Sequence, residues 1–377
     1  MRFAKAVVKY RIPILIIAII LMIPSVFGMI NTRINYDMLS YLPEDIDTVI
    51  GQNELLDEFG KGAFAFIIVE DMPEKDVAKL AEKIENVDHV ESVLSYASIV
   101  DASIPKELLP DSLYREFNTD HSTLMAVFFE ASTSDDVTLE AIREVRSIAG
   151  KQCFVSGMSA MVVDMKELCE SEELIYIGLA VLLSSIAMIL LLDNWIIPFV
   201  FLISIGMMIL MNMGTNYFIG EISFITKSLS AVLQLAVTMD YSIFLWHSYN
   251  EQCEKYSDHK EAMAVAIKET LASVVGGSAT TVAGFIALCF MTFTLGLDLG
   301  VVMAKGVALG VICTIVILPA LILTFDQQVE KYKHRTIVPK LTKLSYFVSK
   351  HAMPIVVVFL VLLVPFVVAQ QKTEVYY

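Results

Sequence analysis

The most reactive pair in this chain is Asp240-Tyr241, a carboxylic acid and a phenol inside a long apolar segment. The segment runs from Phe224 to Trp246, the length of a membrane span. A carboxylate at that depth costs roughly 2.5–3.5 kcal/mol on insertion scales. Acids of this kind persist where they face a protein interior, and they commonly move protons or ions. The sequence therefore predicts that Asp240 is a proton relay and that Tyr241 can donate a hydrogen bond to its carboxylate.

Polar side chains around this pair recur at helical spacing. Gln234, Thr238 and Tyr241 share one stripe of the predicted helix, and Asp240 lies about 100° away from Tyr241. Polar groups on two sectors predict a helix in the centre of a bundle, with little of it facing lipid. In the next span, Thr280 lies at nearly the depth of Asp240, which makes a hydrogen bond between them feasible. Gln234, Thr238 and Thr280 are therefore candidates for supporting the relay.

Small residues recur in the two spans that follow. Their spacing of four residues lets helices approach closely, so we expect the fourth, fifth and sixth spans to form a tight group. The glycines with this predicted packing role are Gly276, Gly277, Gly284, Gly306 and Gly310.

Two lysines also fall within predicted spans. Lys305 is predicted to lie about a dozen ångströms in depth from Asp240, too far for a direct ion pair. We expect Lys305 either to extend towards the outer surface or to bond to a group in the outer vestibule. Lys227, near the outer end of its span, is expected to extend to the surface.

Composition places the chain in a membrane. Hydrophobic residues make up 56% of it and the mean hydropathy is +0.65. Seven stretches are long and apolar enough to span: Ile12–Ile30, Leu174–Leu192, Trp195–Met213, Ile225–Trp246, Leu271–Phe293, Leu299–Phe325 and Met353–Ala369. The first is too long for the apolar core of a signal peptide and lacks a small-residue cleavage site, which indicates a retained anchor.

Charge predicts the orientation. Residues 31–173 contain 30 acidic and 11 basic residues, a net charge of −19 against −15 for the whole chain. Basic residues cluster before the first span and between the sixth and seventh, so we expect a cytoplasmic N-terminus and an extracytoplasmic 31–173. The loop 247–270 is then also cytoplasmic. The protein is predicted to be a multi-pass protein of the cell membrane, and its acidity argues against a nucleic-acid partner.

The acidic outer segment has the pattern of a folded α+β domain. Its predicted strands and helices follow the order β-α-β-β-α-β of a ferredoxin-like unit. They are Ala63–Val69, Glu74–Glu85, Val90–Leu94, Thr123–Glu130, Ser134–Ile148 and Cys153–Val155. The stretch 98–120, with Pro105 and Pro110, is interpreted as an excursion between strands.

The outer segment shows no catalytic constellation of residues. His89 and His121 lack metal-ligand neighbours and are interpreted as surface residues, so neither a metal nor a cofactor is predicted. There is no G-x-x-x-x-G-K-[ST] phosphate loop, so direct use of ATP is not expected, and neither is enzymatic activity. Cys153 and Cys169 lie on the predicted outer side, where a disulfide between them is one possibility and two free thiols the other.

An internal repeat organises the chain. Shifted by 341 residues, the seventh span overlays the first: Pro354 matches Pro13, Pro365 matches Pro24 and Tyr377 matches Tyr36. We therefore expect the chain to be the first half of a longer protein. The predicted divisions are a first transmembrane helix in 1–30, the outer domain in 31–173, a five-helix bundle in 174–325, a basic cytoplasmic linker in 326–350 and the first helix of the second repeat in 351–377.

The layout of one span, a large outer domain and five spans resembles half of a resistance–nodulation–division (RND) transporter. The segments Thr238-Met239-Asp240-Tyr241-Ser242 and Leu318-Pro319-Ala320-Leu321 are similar to those of its MMPL-type branch, and spans two to six also resemble a sterol-sensing-type domain. The resemblance implies that Asp240 and Tyr241 carry protons and that the outer domain acts as a porter. Members often have glycine at the position of Met239, and they use a second Asp-Tyr helix from the other half.

Two functions are compatible with these residues. One is a proton-driven exporter of hydrophobic or amphiphilic molecules such as lipids or drugs, working in the bilayer with a second half or another copy of the chain. The other is a lipid-sensing or accessory membrane protein that uses the same fold without transport. A sensor has no need of a titratable group at position 240, so Asp240 discriminates between them.

Overall fold

The structure is a computed structural model that describes residues 1–58, 62–99, 111–119, 121–334 and 342–373. Several sequence predictions concern residues outside these ranges. They are the two prolines of the 98–120 excursion, part of the basic linker in 326–350, and the match of Tyr377 to Tyr36.

The helices and strands follow one another in a simple order along the chain. The helices are α1 Arg2–Lys9, α2 Arg11–Asn31, α3 Asp47–Asp57, α4 Glu74–Glu85, α5 Tyr96–Ile99, α6 Asp111–Phe117, α7 Asp136–Ala149, α8 Met158–Leu191, α9 Ile197–Gly214, α10 Phe224–Cys253, α11 His259–Leu288, α12 Leu295–Ile312, α13 Leu318–Thr324, α14 Asp326–Lys331, α15 Thr342–Lys350 and α16 Ala352–Gln371. The strands are β1 Arg33–Asn35, β2 Ala63–Glu70, β3 Val90–Leu94, β4 Ser122–Phe129, β5 Cys153–Ser156 and β6 Glu221–Ser223.

The described part of the chain has seven helices long and apolar enough to cross a membrane, which confirms the predicted number. They are Arg11–Asn31, Met158–Leu191, Ile197–Phe218, Phe224–Cys253, His259–Leu288, Leu295–Thr324 and Ala352–Gln371. The protein is therefore a multi-pass membrane protein.

The ends of these helices differ from the prediction. The segment 247–270 is not a loop, because α10 continues to Cys253 and α11 begins at His259 with the Asp258 side chain as its cap. Each of these helices has 30 residues, about 45 Å at 1.5 Å per residue, against a hydrocarbon core of about 30 Å. Hydropathy marks where a helix leaves the hydrocarbon, and the helical hydrogen bonds continue beyond that point.

The second span is longer still and crosses a predicted domain boundary. Helix α8 has 34 residues, about 51 Å, and runs without a break through the predicted boundary between residues 173 and 174. Its first turns pack on the outer domain, where Ala160 and Val163 are buried among the domain's core residues. The outer domain and the bundle thus share one continuous helix.

The sixth span contains a local change of helix type. Residues Cys313–Ile317 form a π-helical segment between α12 and α13, and Pro319 stands in the first turn of α13. Proline has no N–H group, and inside a helix its ring meets the carbonyl four residues earlier, here that of Ile315. The π-helical segment is wider than an α-helix and contains Ile315, so it gives the Ile315 carbonyl room to move away from the proline ring.

The outer domain has the predicted β-α-β-β-α-β order. Its four strands form one sheet in the order β3-β4-β2-β5, in which every neighbouring pair is antiparallel. Along β2, Ala63, Ala65, Ile67 and Val69 are buried while Phe66 and Ile68 are exposed, the alternation of a sheet covered on one face. Buried residues of α4 and α7 complete this core.

A short pairing that the sequence did not indicate joins this domain to the bundle. Strand β1, which follows the first span, pairs in parallel with β6, which leads directly into α10. Next to it, the ring of Tyr36 stacks on that of Phe224, with centroids 5.5 Å apart. The start of the Asp240 helix is thus fixed to the base of the outer domain.

The helices of the bundle differ in how far they are enclosed. Helix α9 and the sixth span, Leu295–Thr324, are largely buried, whereas no residue of α16 is buried. Helix α2 crosses α9 at Gly28 and Gly214, where a Cβ at either position would overlap the backbone of the other helix. The first span is therefore part of the bundle of spans two to six, and the seventh stands apart from it.

Candidate functional site

Helix α10 presents Asp240 and Tyr241 on different sides. Tyr241 is 8% exposed and belongs to the core of the bundle. Asp240 is exposed and lies on an apolar stripe with Leu229, Leu233 and Phe244. Within the described ranges, Asp240 has no hydrogen bond or ion pair. The carboxylate therefore points away from the enclosed part of this chain.

This arrangement corrects the prediction that little of the fourth span faces outwards. The buried stripe of α10 contains Thr226, Ser230, Gln234 and Thr238, which face α9 and α12. Successive residues of a helix are about 100° apart, so Asp240 lies on the other side from Thr238. The sequence showed that α10 has two polar sectors. It did not show that the other helices of this chain cover the sector of Gln234 and Thr238 and leave the sector of Asp240 exposed.

Thr280 does not bond to Asp240. Its hydroxyl donates to the backbone oxygen of Gly277, 2.8 Å away in its own helix, and its side chain is exposed. A threonine in a helix can always donate to a backbone oxygen three or four residues earlier. The equal depth of Thr280 and Asp240 in the membrane therefore does not decide which acceptor the Thr280 hydroxyl binds. Thr280 instead belongs to an exposed face of small residues on α11, together with Gly276, Ala283 and Gly284.

The predicted packing glycines divide into two groups. A Cβ at Gly306 would lie 2.7 Å from the Asn212 side-chain nitrogen, and one at Gly310 would lie 3.0 Å from the Thr238 hydroxyl. Both positions are therefore in close helix–helix contact. A Cβ at Gly276 or Gly284 would have no described neighbour within 4 Å, so the packing role predicted for these two is wrong within the described chain.

The contact between α11 and α12 is made elsewhere. A Cβ at Gly277 would only just reach the Tyr241 ring, 4.0 Å away. Gly300 makes the close approach instead, since a Cβ there would lie 2.6 Å from the backbone oxygen of Phe285 and from the sulfur of Cys289. This close approach lies at the C-terminal end of α11, whereas Gly276, Thr280 and Gly284 face outwards.

A buried polar network links α9, α10 and α12. Gln234 donates to the backbone oxygen of Gly306 over 3.1 Å and accepts from the Asn212 side chain over 3.0 Å. The side-chain oxygen of Asn212 and the hydroxyl of Thr238 are buried without a described partner. Gln234 and Thr238 therefore organise the interior of the bundle and lie away from the face that carries Asp240.

The two lysines bond within the protein. The Lys305 amine donates to the backbone oxygen of Asn212 over 3.0 Å and to the Asn216 side chain over 2.5 Å. Lys227 forms an ion pair of 2.9 Å with Glu173 of α8. The role of the two asparagines was not among the sequence predictions, although an asparagine in a membrane span is itself a signal of a polar contact.

A second carboxylate in the spans provides a contrast with Asp240. Asp298 accepts from the Ser223 backbone nitrogen over 2.7 Å and from the Thr226 hydroxyl over 2.6 Å. It therefore binds donors at the N-terminus of α10, where a negative charge is favourable. Asp298 is satisfied inside the chain and Asp240 is not.

The remaining candidates lie away from these helices. His89 and His121 are exposed and contact Glu130 and Asp71. Both Cys153 and Cys169 are free thiols, so the disulfide alternative is not realised, and burial raises the pKa of the Cys153 thiol. Among the residues the structure describes, no group of three or more His, Cys, Asp or Glu side chains could hold a metal ion.

Comparison with known proteins gives one family. The model of the MMPL family matches residues 73–344, most of the chain, including both relay candidates. A protein named as a membrane protein, MJ1562 of Methanocaldococcus jannaschii, is 24% identical over 358 residues, which cover 84% of this chain and 92% of that protein. The "Probable transport protein MmpL12" of Mycobacterium tuberculosis is 28% identical over 233 residues, 58% of this chain.

The matched chains differ in length. The match to MmpL12 spans only 19% of that protein. A crystal structure of SecDF in its super-membrane-facing form covers 86% of this chain and 38% of its own chain, with 15% identity and a TM-score of 0.42. Because the family match extends over more than half of its length, the chain belongs to the MMPL family.

Proposed function

We propose that this chain forms one half of a proton-driven exporter of hydrophobic or amphiphilic molecules, in which Asp240 carries the proton. Membership of the MMPL family and similarity to a protein named as a transport protein support a role in membrane transport. The coupling to protons and the class of substrate are inferred from the residues themselves.

The observation that carries the proposal is the position of Asp240. Its carboxylate lies on an otherwise apolar, exposed stripe of a membrane-spanning helix and has no partner among the described residues. Facing lipid there would cost roughly 2.5–3.5 kcal/mol, so a protein surface must cover this side in the working assembly. A carboxyl group at such an interface can bind and release a proton as its surroundings change.

The covering surface is inferred to be a second half or a second copy of the chain. The exposed small residues Gly276, Thr280 and Gly284 lie on α11, which packs against α10, and small residues allow another helix to approach closely. Parallel repeats related by an axis along the membrane normal are an established design of transporters. In such a pair, the two α10 helices would place their acids near a shared interface.

The outer domain is proposed to handle the substrate. Its fixed link to α10, through the β1–β6 pairing and the Tyr36–Phe224 stack, offers a path from protonation to movement of that domain. In this proposal residues 31–173 lie outside the cell membrane and the N-terminus lies in the cytoplasm, as the distribution of charge indicates.

The test compares Asp240→Asn with Asp298→Asn, two identical chemical changes in membrane spans. The dye Nile red or a fluorescent fatty acid is added outside inverted vesicles from cells producing the protein, and its uptake, which corresponds to export from the cell, is followed under an imposed pH gradient. We expect Asp240→Asn to abolish gradient-dependent transport with normal membrane insertion. Asp298→Asn should retain it, because an amide oxygen can still accept from Ser223 and Thr226.

Normal transport by the Asp240→Asn variant would rule out the relay. If the wild-type protein moves neither probe and its binding of lipid is unchanged by Asp240→Asn, the lipid-sensing or accessory alternative is favoured instead.

A further inference from the structure

A basic cavity lies at the end of the bundle where the chain begins. Asp240 is not among the residues that line it. It has a volume of about 630 Å³ and lies between α1, the start of α2 and the first turns of α11. Four cationic side chains line it: Lys5, Lys9, Arg11 and Lys260. In the described part of the chain, none of the four forms an ion pair.

The fold itself builds this cavity. Helix α1 buries Ala4, Val7 and Val8 against the bundle and packs beside α11, which brings its lysines to the start of that helix. Arg11 and Lys260 are about 250 residues apart in sequence, yet they line the same cavity. The positive-inside preference explains why basic residues lie on the N-terminal side of the membrane. It does not explain why Arg11 and Lys260, which are distant in sequence, line one cavity.

The charge of the cavity favours an anion. Two acids, Asp258 and Glu261, also line it, which leaves a net charge of +2. The Asp258 carboxylate is engaged in capping α11, where it accepts from the Lys260 backbone nitrogen over 3.0 Å. The cavity also adjoins the N-terminus of this 30-residue helix, whose dipole is favourable for negative charge.

The surroundings of the cavity favour a lipid over a free ion. Ile12 and Pro13, which open the first span, are part of its wall. From Ile12 an exposed apolar stripe continues along α2 through Ile16, Ile19 and Ile23, each between 52% and 59% exposed. The stripe is about 16 Å long at 1.5 Å per residue, close to the hydrocarbon depth of one leaflet, about 15 Å. A phosphate in the cavity would thus have its acyl chains along this stripe.

We infer that this cavity binds the headgroup phosphate of an anionic phospholipid from the leaflet on the N-terminal side of the membrane. The lysines of α1, Arg11 and Lys260 surround the phosphate, and α2 supports the acyl chains. Bound there, the lipid bridges α1 and α11 by contacting cations from both.

The test measures binding of phosphatidylglycerol and phosphatidylcholine to the delipidated protein in detergent, by native mass spectrometry and by thermal unfolding at fixed ionic strength. We expect the wild type to prefer phosphatidylglycerol. The double variant Arg11→Gln/Lys260→Gln should bind it about thirtyfold more weakly, since each cation near an anionic surface contributes about fivefold.

The matched control is Lys268→Gln/Lys331→Gln, which removes the same charge from α11 and α14 outside the cavity. It should lower the affinity less than about twofold, because the lost charges do not contact the phosphate. An equal loss in both double variants would show diffuse attraction and overturn the site.

Two further results would also overturn the inference, and neither needs a variant. One is a wild type that binds the two lipids equally. The other is inorganic phosphate that stabilises the delipidated protein as much as phosphatidylglycerol does, which would indicate a site for the free ion. If the cavity variant does not fold, Lys5→Gln/Lys9→Gln replaces it with the same expected result.

Discussion

The contact at Gly306 gives the sharpest test of the bundle interior. In Gly306→Ala, the added Cβ would lie 2.7 Å from the Asn212 side-chain nitrogen and 3.3 Å from the Gln234 side chain. Both groups are held in the buried network, so the clash cannot be relieved by moving one free side-chain end. Overpacking of this kind costs about 1–3 kcal/mol.

The hydrogen bonds of the network add to this loss. The bond from Gln234 to the Gly306 oxygen and the bond from Asn212 to Gln234 both depend on the present helix spacing. Interhelical hydrogen bonds in membranes contribute about 0.6 kcal/mol each on average. The greater helix propensity of alanine offsets up to about 1 kcal/mol of this loss, so the free energy of unfolding should fall by about 1–3 kcal/mol in Gly306→Ala.

Gly284→Ala is the matched control, since a Cβ there has no described neighbour within 4 Å. It should leave stability unchanged or raise it by up to about 1 kcal/mol, because alanine favours a helix over glycine. Unfolding by sodium dodecyl sulfate in mixed micelles, followed by tryptophan fluorescence, measures both variants. The chain has two tryptophans, and Trp246 is fully buried in the bundle. Equal effects of the two substitutions would refute this account of the packing.

Two other predictions follow from the contacts. Asp298→Ala removes the acceptor of the Ser223 nitrogen and the Thr226 hydroxyl, so the free energy of unfolding in the same assay should fall by about 1–3 kcal/mol; no change would mean that water replaces the carboxylate. Because burial raises the pKa of the Cys153 thiol, less thiolate is present at any given pH in the folded protein. In a variant with Cys153 as the only cysteine, alkylation by iodoacetamide at pH 8 should be slower than in urea and should accelerate as the pH rises; equal rates would contradict the burial effect.

Much of the outer domain could be predicted from the sequence alone. The alternation along β2 and the amphipathic repeat of α4 are local patterns, and the structure places both elements where these patterns predict them. The pairing of β1 with β6 could not be predicted in this way. Each strand has only three residues, too few for a period, and residues 33 and 221 are brought together by the packing of the spans.

The candidate site shows the same division. The sequence identifies Asp240 because a carboxylate in an apolar span is costly wherever it points. It does not reveal that the acid lies on an open face of α10 while Gln234 and Thr238 lie inside the bundle. That outcome depends on which sides of the helix α9 and α12 cover, and these contacts come from other segments of the chain.

The sequence by itself determined the number of spans, the acidic domain that follows the first span and the presence of a carboxylate, Asp240, within an apolar stretch. These follow from hydropathy and charge, which act on each segment whatever its neighbours are. Only the tertiary structure decided which glycines pack, which donors bind Asp298, which acceptors bind Lys305, and which face of the bundle stays uncovered. Inside a membrane, lipid solvates every apolar helix face almost equally well, so hydrophobicity alone does not choose the contacts between helices. Close packing and hydrogen bonds make that choice, and both depend on residues that are distant in sequence.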